Sequence, residues 1–493
     1  MSVILDSTSR SAELRAQFDH PVVDGDGHWL EPIPILAEFL AEVGGAKMAD
    51  DYLASHRDAY CGWYEMPVDE RLARRQLRPI AWPNCGNTID RATALMPRLM
   101  HERLDEFGID VSIVYPSLGL GAVHMQDQDL RRSFCRAMNL MAAELFEPYR
   151  DRLVPVACIP SFTPDEGIEE LEFAVNELGL RAMYMTCAVK RFVTVDPPSP
   201  FQPPYYIDNL GLDSPYDYDP LWAKAVELGV AVSMHAGGMG WPDRTSVTSS
   251  VYNHIGHFGA ANHAAAKGLF LGGVTKRFPG LKFAFLEGGA GWAANLLLDL
   301  IGHWEKRRLP AMLANLNPAN IDLDQLGELI RQYGDARHVH HLDAILSTPG
   351  SEVHSTNAEV VEREEREREN GPMYMDDYAA LGPDITEGDI VRLFATNFYF
   401  GCEADDPTVR WAFDEAAGLD LKPIFSSDIS HWDVTHMNET VEEAYELVEH
   451  GVITPEQFRK FVFEYPVELR VGMAPDFFRG TRIGDQVDEL AAG

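Results

Sequence analysis

Short apolar stretches alternate with longer amphipathic stretches over most of the chain. In the amphipathic stretches, apolar residues recur every three to four positions, which predicts helices. The short apolar stretches predict eight strands, at residues 21–26, 110–116, 153–160, 180–186, 229–235, 281–287, 396–402 and 423–428. Most of these strands are followed by a predicted helix, and this alternation is typical of parallel strands joined by crossover helices.

Eight such units, with polar residues at several strand ends, favour a closed (β/α)8 barrel, the TIM barrel, over a doubly wound open sheet. One segment, residues 305–385, interrupts the alternation between the sixth and seventh strands. It contains His338, His340 and His341, and then a run of mixed charges at 359–369 that predicts a solvated helix or a linker. We expect an insertion of this length to be a lid over the site or an oligomer contact.

The chain of 493 residues is long enough for one large barrel with this insertion. We therefore divide it into segments with different expected roles. They are an N-terminal arm (1–20), the barrel (21–304 and 386–481), the helical or flexible insertion (305–385) and a C-terminal tail (482–493).

Composition restricts the partners and the location that we expect. The formal net charge of −36 argues against nucleic acid or an anionic membrane surface as a partner. No stretch of eighteen apolar residues occurs, so no membrane span is predicted. The six cysteines are scattered without a C-x-x-C motif, which indicates reduced thiols. Because the N-terminal residues are polar and resemble no signal peptide, we expect a cytoplasmic protein.

Candidate chemistry begins with the string Val-Val-Asp-Gly-Asp-Gly-His at residues 22–28. Residues two apart on a strand point to the same face, so Asp24, Asp26 and His28 are expected to project together. Carboxylates and imidazoles at this spacing are suitable ligands for a divalent metal ion. The alternative interpretation is a polar strand end that leads into a turn.

Three further polar residues lie at the ends of predicted strands. His235, Glu287 and Asp428 end the fifth, sixth and eighth strands. In a TIM barrel the carboxyl ends of all strands open on one face, where the chemistry occurs. A closed barrel would therefore bring these three residues close to Asp26 and His28.

Several motifs resemble those of a known family. They are Asp-Gly-Asp-Gly-His-Trp-Leu-Glu-Pro at 24–32, Asp-Val-Ser-Ile-Val-Tyr-Pro-Ser-Leu-Gly-Leu at 110–120, Ser-Met-His-Ala-Gly-Gly at 233–238, Phe-Pro-Gly-Leu-Lys at 278–282, Leu-Glu-Gly-Gly-Ala-Gly-Trp at 286–292, Ser-Ser-Asp at 426–428 with His431, and Phe-Phe-Arg-Gly-Thr at 477–481. The chain resembles the amidohydrolase superfamily, in the amidohydrolase-related branch typified by aminocarboxymuconate-semialdehyde decarboxylase.

The resemblance implies one divalent metal ion whose ligands are Asp26, His28, His235 and Asp428. Two carboxylates and two neutral imidazoles balance the charge of such an ion, which suits Zn²⁺ best and Mn²⁺ as the alternative. The chain departs from the branch at Asp26, where many relatives have histidine. It also departs at Glu287, where decarboxylases of the branch often carry histidine.

These residues indicate a metal-dependent hydrolase that acts on a carbonyl-type centre of a small substrate, aromatic or derived from ring cleavage. The metal ion would supply an activated water, and Asp428 or Glu287 would carry the proton. A carboxylate at position 287 is suited to act as a general base toward water. Hydrolysis is therefore favoured over non-oxidative decarboxylation of an aromatic or muconate-like acid. A hydratase and a non-catalytic barrel scaffold are further alternatives. Glu287 could instead orient a ligand histidine, and His431 is either catalytic or stabilises its loop.

Four residues are expected to bind the substrate. Trp29 and Phe192 would form aromatic walls. Arg71 and Arg74 would clamp a substrate carboxylate, although the run around them also predicts a solvated helix face. Relatives in the branch are often dimers, so the resemblance implies a homo-oligomer.

Overall fold

Ten strands form two sheets in the part of the chain that the structure describes. The structure is a computed structural model that describes residues 8–79, 87–194, 204–235, 240–315, 320–347, 376–432 and 434–492. The strands are β1 Val23–Trp29, β2 Val111–Pro116, β3 Leu153–Cys158, β4 Ala182–Met185, β5 Val189–Phe192, β6 Tyr205–Asp208, β7 Val232–Met234, β8 Phe283–Phe285, β9 Phe398–Cys402 and β10 Lys422–Phe425.

Eight of these strands form the barrel. They pair in the order β1–β2–β3–β4–β7–β8–β9–β10, and every ladder between neighbours is parallel. The segment after β10 returns to β1 and closes the barrel. There the Asp428 amide donates to the Asp26 carbonyl at 3.0 Å, and the His28 amide donates to the Ile429 carbonyl at 3.0 Å. The predicted (β/α)8 barrel is confirmed.

All eight predicted barrel strands are present, although their boundaries differ. The first strand was expected to end at residue 26, but β1 continues to Trp29. It continues because Gly27, His28 and Trp29 pair with β2. A ladder of this kind holds glycines in an extended conformation that they do not favour by themselves. The remaining strands, β5 and β6, form an antiparallel hairpin where only a loop was expected.

Helices connect most of the barrel strands, as parallel pairing requires. In the unit that contains the strands, those before β3 are Arg10–Arg15, Ile33–Gly44, Ala46–Tyr60, Gly62–Glu65, Val68–Arg74, Thr88–Leu95, Pro97–Phe107 and Gln128–Phe146. Those from β3 onward are Pro164–Asn176, Asp219–Glu227, Ser250–His254, His257–Leu271, Val274–Arg277, Gly291–Arg307, Glu387–Asn397, Val409–Ala412, Thr440–Glu449, Pro455–Arg459, Tyr465–Val471 and Gly484–Ala492. Three of them, His257–Leu271, Gly291–Arg307 and Glu387–Asn397, include residues of the second unit. No helix in the described ranges is both long enough and apolar enough to cross a membrane.

A second compact unit comprises Leu271–Gly273 and Leu297–Arg392. It includes the helices Leu309–Asn315, Leu323–Tyr333, Ala336–His340 and Leu342–Ser347. The charged run at 359–369 lies outside the described residues. The role of the predicted insertion as a lid or an oligomer contact stays a prediction.

A β-bulge in β1 fixes the geometry of the candidate site. Asp24 pairs with Ser112 of β2, but Gly27 pairs with Val114, so three steps along β1 match two along β2. The extra residue shifts the side-chain alternation of β1 at this point. A Cβ atom at Gly27 would overlap the Asp24 carboxylate and the Ser112 hydroxyl. Glycine is therefore required here by close packing.

Substitution of Gly27 tests this packing constraint. We expect Gly27→Ala to lower the free energy of unfolding by about 1–3 kcal/mol, because the new methyl group must displace a buried, hydrogen-bonded carboxylate. Chemical denaturation measures the change. Gly280→Ala is the matched control, since a Cβ there meets no described atom within 4 Å, and its effect should stay within about 0.5 kcal/mol. Equal effects of the two substitutions would contradict the packing argument.

Candidate metal centre

Two carboxylates and two imidazoles converge at the carboxyl ends of the barrel strands. Asp26 and His28 lie on β1, His235 directly follows β7, and Asp428 lies just after β10. We call these four residues the barrel-mouth cluster. The His28 Nε2 atom is 3.0 Å from His235 Nε2, 3.4 Å from Asp26 Oδ1 and 3.3 Å from Asp428 Oδ1. The His235 Nε2 atom is 3.1 Å from Asp26 Oδ1.

The chemistry of the barrel-mouth cluster fits a divalent metal ion. Asp26, His28 and His235 are completely buried, and Asp428 is nearly so. Within the described ranges, neither carboxylate oxygen of Asp26 has a partner in hydrogen-bond geometry. A buried carboxylate in this condition is costly unless a cation compensates its charge. Two oxygen and two nitrogen donors are a suitable set for Zn²⁺ or Mn²⁺.

The protonation states in the cluster also suit metal binding. Burial by itself raises the pKa of the Asp26 carboxyl, but the facing imidazoles of His235 and His28 outweigh burial and hold that pKa below its usual range. Burial lowers the pKa of the His28 imidazole. Asp26 is therefore ionised and His28 neutral, which are the forms that coordinate metals.

Asp24 does not join the cluster, contrary to the expectation from the alternation of side chains. Its Oδ1 atom accepts hydrogen bonds from the amides of Ser427 at 2.9 Å and Asp26 at 3.1 Å. Its Oδ2 atom accepts from the Ser112 hydroxyl at 2.6 Å. The β-bulge causes this difference, because it turns Asp24 toward the backbone. Asp24 thereby ties β1 to β2 and to the segment after β10.

Glu287 lies beside the cluster, two residues past the end of β8. Its Oε2 atom is 3.8 Å from His235 Nδ1, the nitrogen that faces away from the other cluster members. Glu287 and Asp428 both have left-handed backbone, with φ of 55° and 50°. Such backbone is uncommon for residues other than glycine and often occurs at functional sites. The two expected proton carriers are thus held by unusual turns at the strand ends.

His431 lies on the more open side of the cluster. Its Nδ1 atom is 2.6 Å from Asp428 Oδ1, and 13% of its side chain is exposed. Its ring stacks on the His28 ring with 3.6 Å between centroids. His28, Asp428 and His431 also have ligand atoms close enough together to hold an ion. The imidazole of His431 therefore links Asp428 to solvent.

A buried polar network inside the barrel was not predicted from the sequence. The Tyr115 hydroxyl donates to the Ser233 hydroxyl at 2.7 Å, and Arg470 donates to the Tyr115 hydroxyl at 3.1 Å. The Tyr115 ring packs edge-on to the His235 ring at 5.1 Å. Alternation along β2 and β7 could have placed Tyr115 and Ser233 inside the barrel. Arg470 gave no such signal, because its neighbours on the helix Tyr465–Val471 are apolar.

The four residues expected to bind substrate are not brought to the cluster. Trp29 is buried and packs edge-on against Phe146, on the helix side of β1. Arg71 lies over the Trp63 ring, and Arg74 pairs with Glu70 on an exposed helix. Phe192 is 70% exposed at the end of β5. Their predicted role in substrate binding stays a prediction.

A cavity of about 860 Å³ opens next to the cluster. Glu287 lines it, together with the glycines at 288, 289 and 291 and with Trp292. The same glutamate therefore faces the cavity and lies close to His235. This cavity is the candidate binding space for a small molecule.

Removing one carboxylate of the cluster tests metal binding. We expect Asp26→Asn to reduce bound divalent metal from about one per chain to less than about a tenth, because the ion loses an anionic ligand. We also expect added metal to raise the unfolding temperature of the parent but not that of the variant, because only the parent binds the ion. Elemental analysis and thermal unfolding with and without metal measure both effects. Asp50→Asn, an exposed substitution, is the control; an Asp26→Asn variant with unchanged metal content would contradict the assignment.

Glu31 holds the loop that follows β2. This buried carboxylate accepts hydrogen bonds from the amides of Leu118 and Gly119, both at 2.9 Å. Burial raises the pKa of the Glu31 carboxyl to about 7, and the amide donors oppose this rise. The residue belongs to the first-strand motif but had no predicted role. It connects that motif to the neighbouring loop at the barrel mouth.

The raised pKa of Glu31 predicts a pH dependence of stability. The folded protein retains a proton that the unfolded chain releases near pH 4.5, so the free energy of unfolding should fall as pH rises toward 7. Between pH 5 and pH 8 this contribution amounts to about 2–3 kcal/mol. Between pH 5 and pH 8, the free energy of unfolding of Glu31→Gln should therefore fall by about 2–3 kcal/mol less than that of the parent, as measured by chemical denaturation. Glu38→Gln, on an exposed helix face, should behave like the parent; identical slopes for all three proteins would refute the prediction.

Three similar solved structures each cover most of this chain. A dihydroxybenzoic acid decarboxylase from Polaromonas sp. JS666 with bound manganese is 15% identical, with 93% of this chain and 99% of that chain covered and a TM-score of 0.47. An amidohydrolase from Mycobacterium avium subsp. paratuberculosis is 16% identical, with 92% and 99% covered and a TM-score of 0.48. A 5-carboxyvanillate decarboxylase from Novosphingobium aromaticivorans with manganese is 13% identical, with 90% and 94% covered and a TM-score of 0.47.

Comparison by sequence identifies the family. No curated protein sequence matches the chain. The family model described as Amidohydrolase matches residues 109–464. This range includes seven of the eight barrel strands and, of the barrel-mouth cluster, His235 and Asp428. Since the match covers well over half of the 493 residues, the chain belongs to the amidohydrolase family.

Proposed function

We propose that this protein is a metal-dependent enzyme that acts on small molecules, with hydrolysis and decarboxylation as its two candidate reactions. The observation that carries the proposal is the convergence of the barrel-mouth cluster, in which four donor side chains from three separate strands approach within about hydrogen-bonding distance. A divalent ion bound there would supply Lewis-acid activation of water or of a carbonyl group. The protein side chains would carry out the proton transfers.

The proposal gives Asp428 and Glu287 the task of moving protons. Asp428 can take a proton from water and pass it to His431, whose Nδ1 atom lies 2.6 Å from its Oδ1 atom. The partial exposure of His431 lets that proton exchange with solvent. Glu287 has two candidate roles, as a second base or as the residue that orients His235 through Nδ1. The separation of 3.8 Å is compatible with orientation after a small movement.

The donor set also bears on the metal. Two carboxylates neutralise a divalent ion, and two neutral imidazoles complete four ligands. We propose Zn²⁺ as the first candidate and Mn²⁺ as the second, because oxygen donors make up half of the set. Elemental analysis of the protein purified without added metal distinguishes them.

Decarboxylation is the second candidate function. His431 is the observation that favours it, because its imidazole beside Asp428 can hold the proton that a carbon atom takes up when a carboxyl group leaves. Decarboxylation is also the reaction in the names of two of the solved structures described above. In this reaction Asp428 would deliver a proton to carbon, whereas in hydrolysis it would remove one from water.

Isotope incorporation separates the two functions. We expect turnover of an amide or ester panel in ¹⁸O-labelled water to place one labelled oxygen in the acid product, and a parallel panel of hydroxybenzoic acids to release no CO₂. We also expect Glu287→Gln to lower kcat/KM by about 100-fold or more while metal content is retained. Glu415→Gln, an exposed substitution, should leave kcat/KM unchanged. Release of CO₂ without label uptake would replace hydrolysis by decarboxylation.

A further inference from the structure

The cavity beside the barrel-mouth cluster has an unusually acidic lining. Glu287 forms its inner end, and Glu403, Asp405 and Asp406 line the side that follows β9. None of the described residues that line it is lysine or arginine, and His263 is the one histidine among them. A cleft lined by charges of one sign concentrates the electric field and attracts ligands of the opposite sign. A substrate carboxylate would be repelled from this space.

One of these carboxylates is rigidly fixed. The Asp406 side chain accepts hydrogen bonds from the Thr408 amide at 2.8 Å and the Thr408 hydroxyl at 2.8 Å. The negative charge at this wall is therefore built into the loop after β9 and does not depend on a mobile side chain.

Two tryptophans also line the cavity. Trp292 is held by edge-on contacts with Phe285 at 5.7 Å and Phe400 at 5.4 Å. Trp411 also lines the cavity, although 52% of this large apolar residue is exposed. Indole faces attract cations, and quaternary ammonium groups in particular. A small inorganic cation would need the carboxylates but would gain less from two indoles.

Three glycines lie where the backbone passes close to the carboxylates and the indoles. A Cβ atom at Gly289 would lie 2.6 Å from the Asp406 carboxylate. One at Gly291 would lie 3.0 Å from the Trp411 ring, and one at Gly288 would lie 3.0 Å from Trp292 Nε1. Side chains at these positions would therefore collide with the walls. Close packing therefore requires glycine at these positions.

We propose that this cavity binds a positively charged organic group of the substrate, an alkylammonium or quaternary ammonium. The proposal deepens the proposed function and rests on it, because Glu287 would join the cation-binding cavity to the reacting centre. The reacting bond would then lie a short distance from an ammonium group. This substrate class differs from the aromatic or muconate-like acids that the sequence suggested.

Three probes of one shape and different charge test the proposal. Choline, 3,3-dimethylbutan-1-ol and 3,3-dimethylbutanoate carry a positive, a neutral and a negative group on similar frames. Binding is measured on the metal-loaded full-length protein by calorimetry and by quenching of tryptophan fluorescence. We expect choline to bind about tenfold more tightly than the neutral alcohol, and the anion to bind most weakly. Equal or tighter binding of the alcohol or the anion would overturn the proposal.

Variants locate the probe and separate the two proposals. Glu403→Gln and Trp411→Leu should each weaken choline binding about three- to tenfold and leave binding of the alcohol nearly unchanged. Glu415→Gln, an acidic residue outside the cavity lining, should change neither. Complete displacement of choline by Mg²⁺ would overturn the proposal by indicating an inorganic cation site. Because choline binding is measured without turnover, a protein that binds choline but lacks metal-dependent activity would contradict the proposed function and not the cation-binding cavity.

Discussion

Closure of the barrel between β1 and the segment after β10 is the constraint on which the candidate site depends. The Asp24 carboxylate accepts the Ser427 amide although the two residues are 403 positions apart. Backbone hydrogen bonds from Asp428 to Asp26 and from His28 to Ile429 complete the joint. Each of these bonds involves a cluster member or its chain neighbour. The bonds that close the fold therefore also set the distances within the barrel-mouth cluster.

This arrangement places the Asp26 carboxylate inside the barrel, next to the imidazoles of His28 and His235. Buried carboxylates are normally satisfied by hydrogen-bond donors, as Asp24 and Glu31 are. Asp26 is not satisfied in this way, because its nearest polar neighbours are imidazoles that face it without hydrogen-bond geometry. Folding thus supplies the rigid frame, and a cation would supply the compensating charge. Two carboxylates on β1 therefore have different roles. Asp24 has hydrogen-bond donors and holds the fold together, whereas Asp26 is available to bind a cation.

The sequence predicted the architecture well because strand and helix periods are local properties of the chain. It also identified the residues that gather at the barrel mouth, since residues at strand ends share one face of a barrel. It failed at Asp24, because the side-chain alternation cannot reveal a β-bulge that arises from pairing with Ser112. The substrate-binding roles predicted for Trp29 and Phe192 stay predictions, and the structure adds only that Trp29 is buried and Phe192 is exposed. The acidic cavity was not anticipated, since its lining comes from loops after β8 and β9 that are distant in sequence.

The left-handed backbone at Glu287 and Asp428 limits which amino acids these positions can accommodate. Branching at Cβ makes this conformation costly, whereas asparagine, aspartate and glycine tolerate it. Substitutions at residues 287 and 428 are accordingly restricted. Valine, isoleucine and threonine are disfavoured there by the backbone conformation, whatever their effect on the reaction. The conformation of these two turns thus limits which sequences can evolve at the barrel mouth.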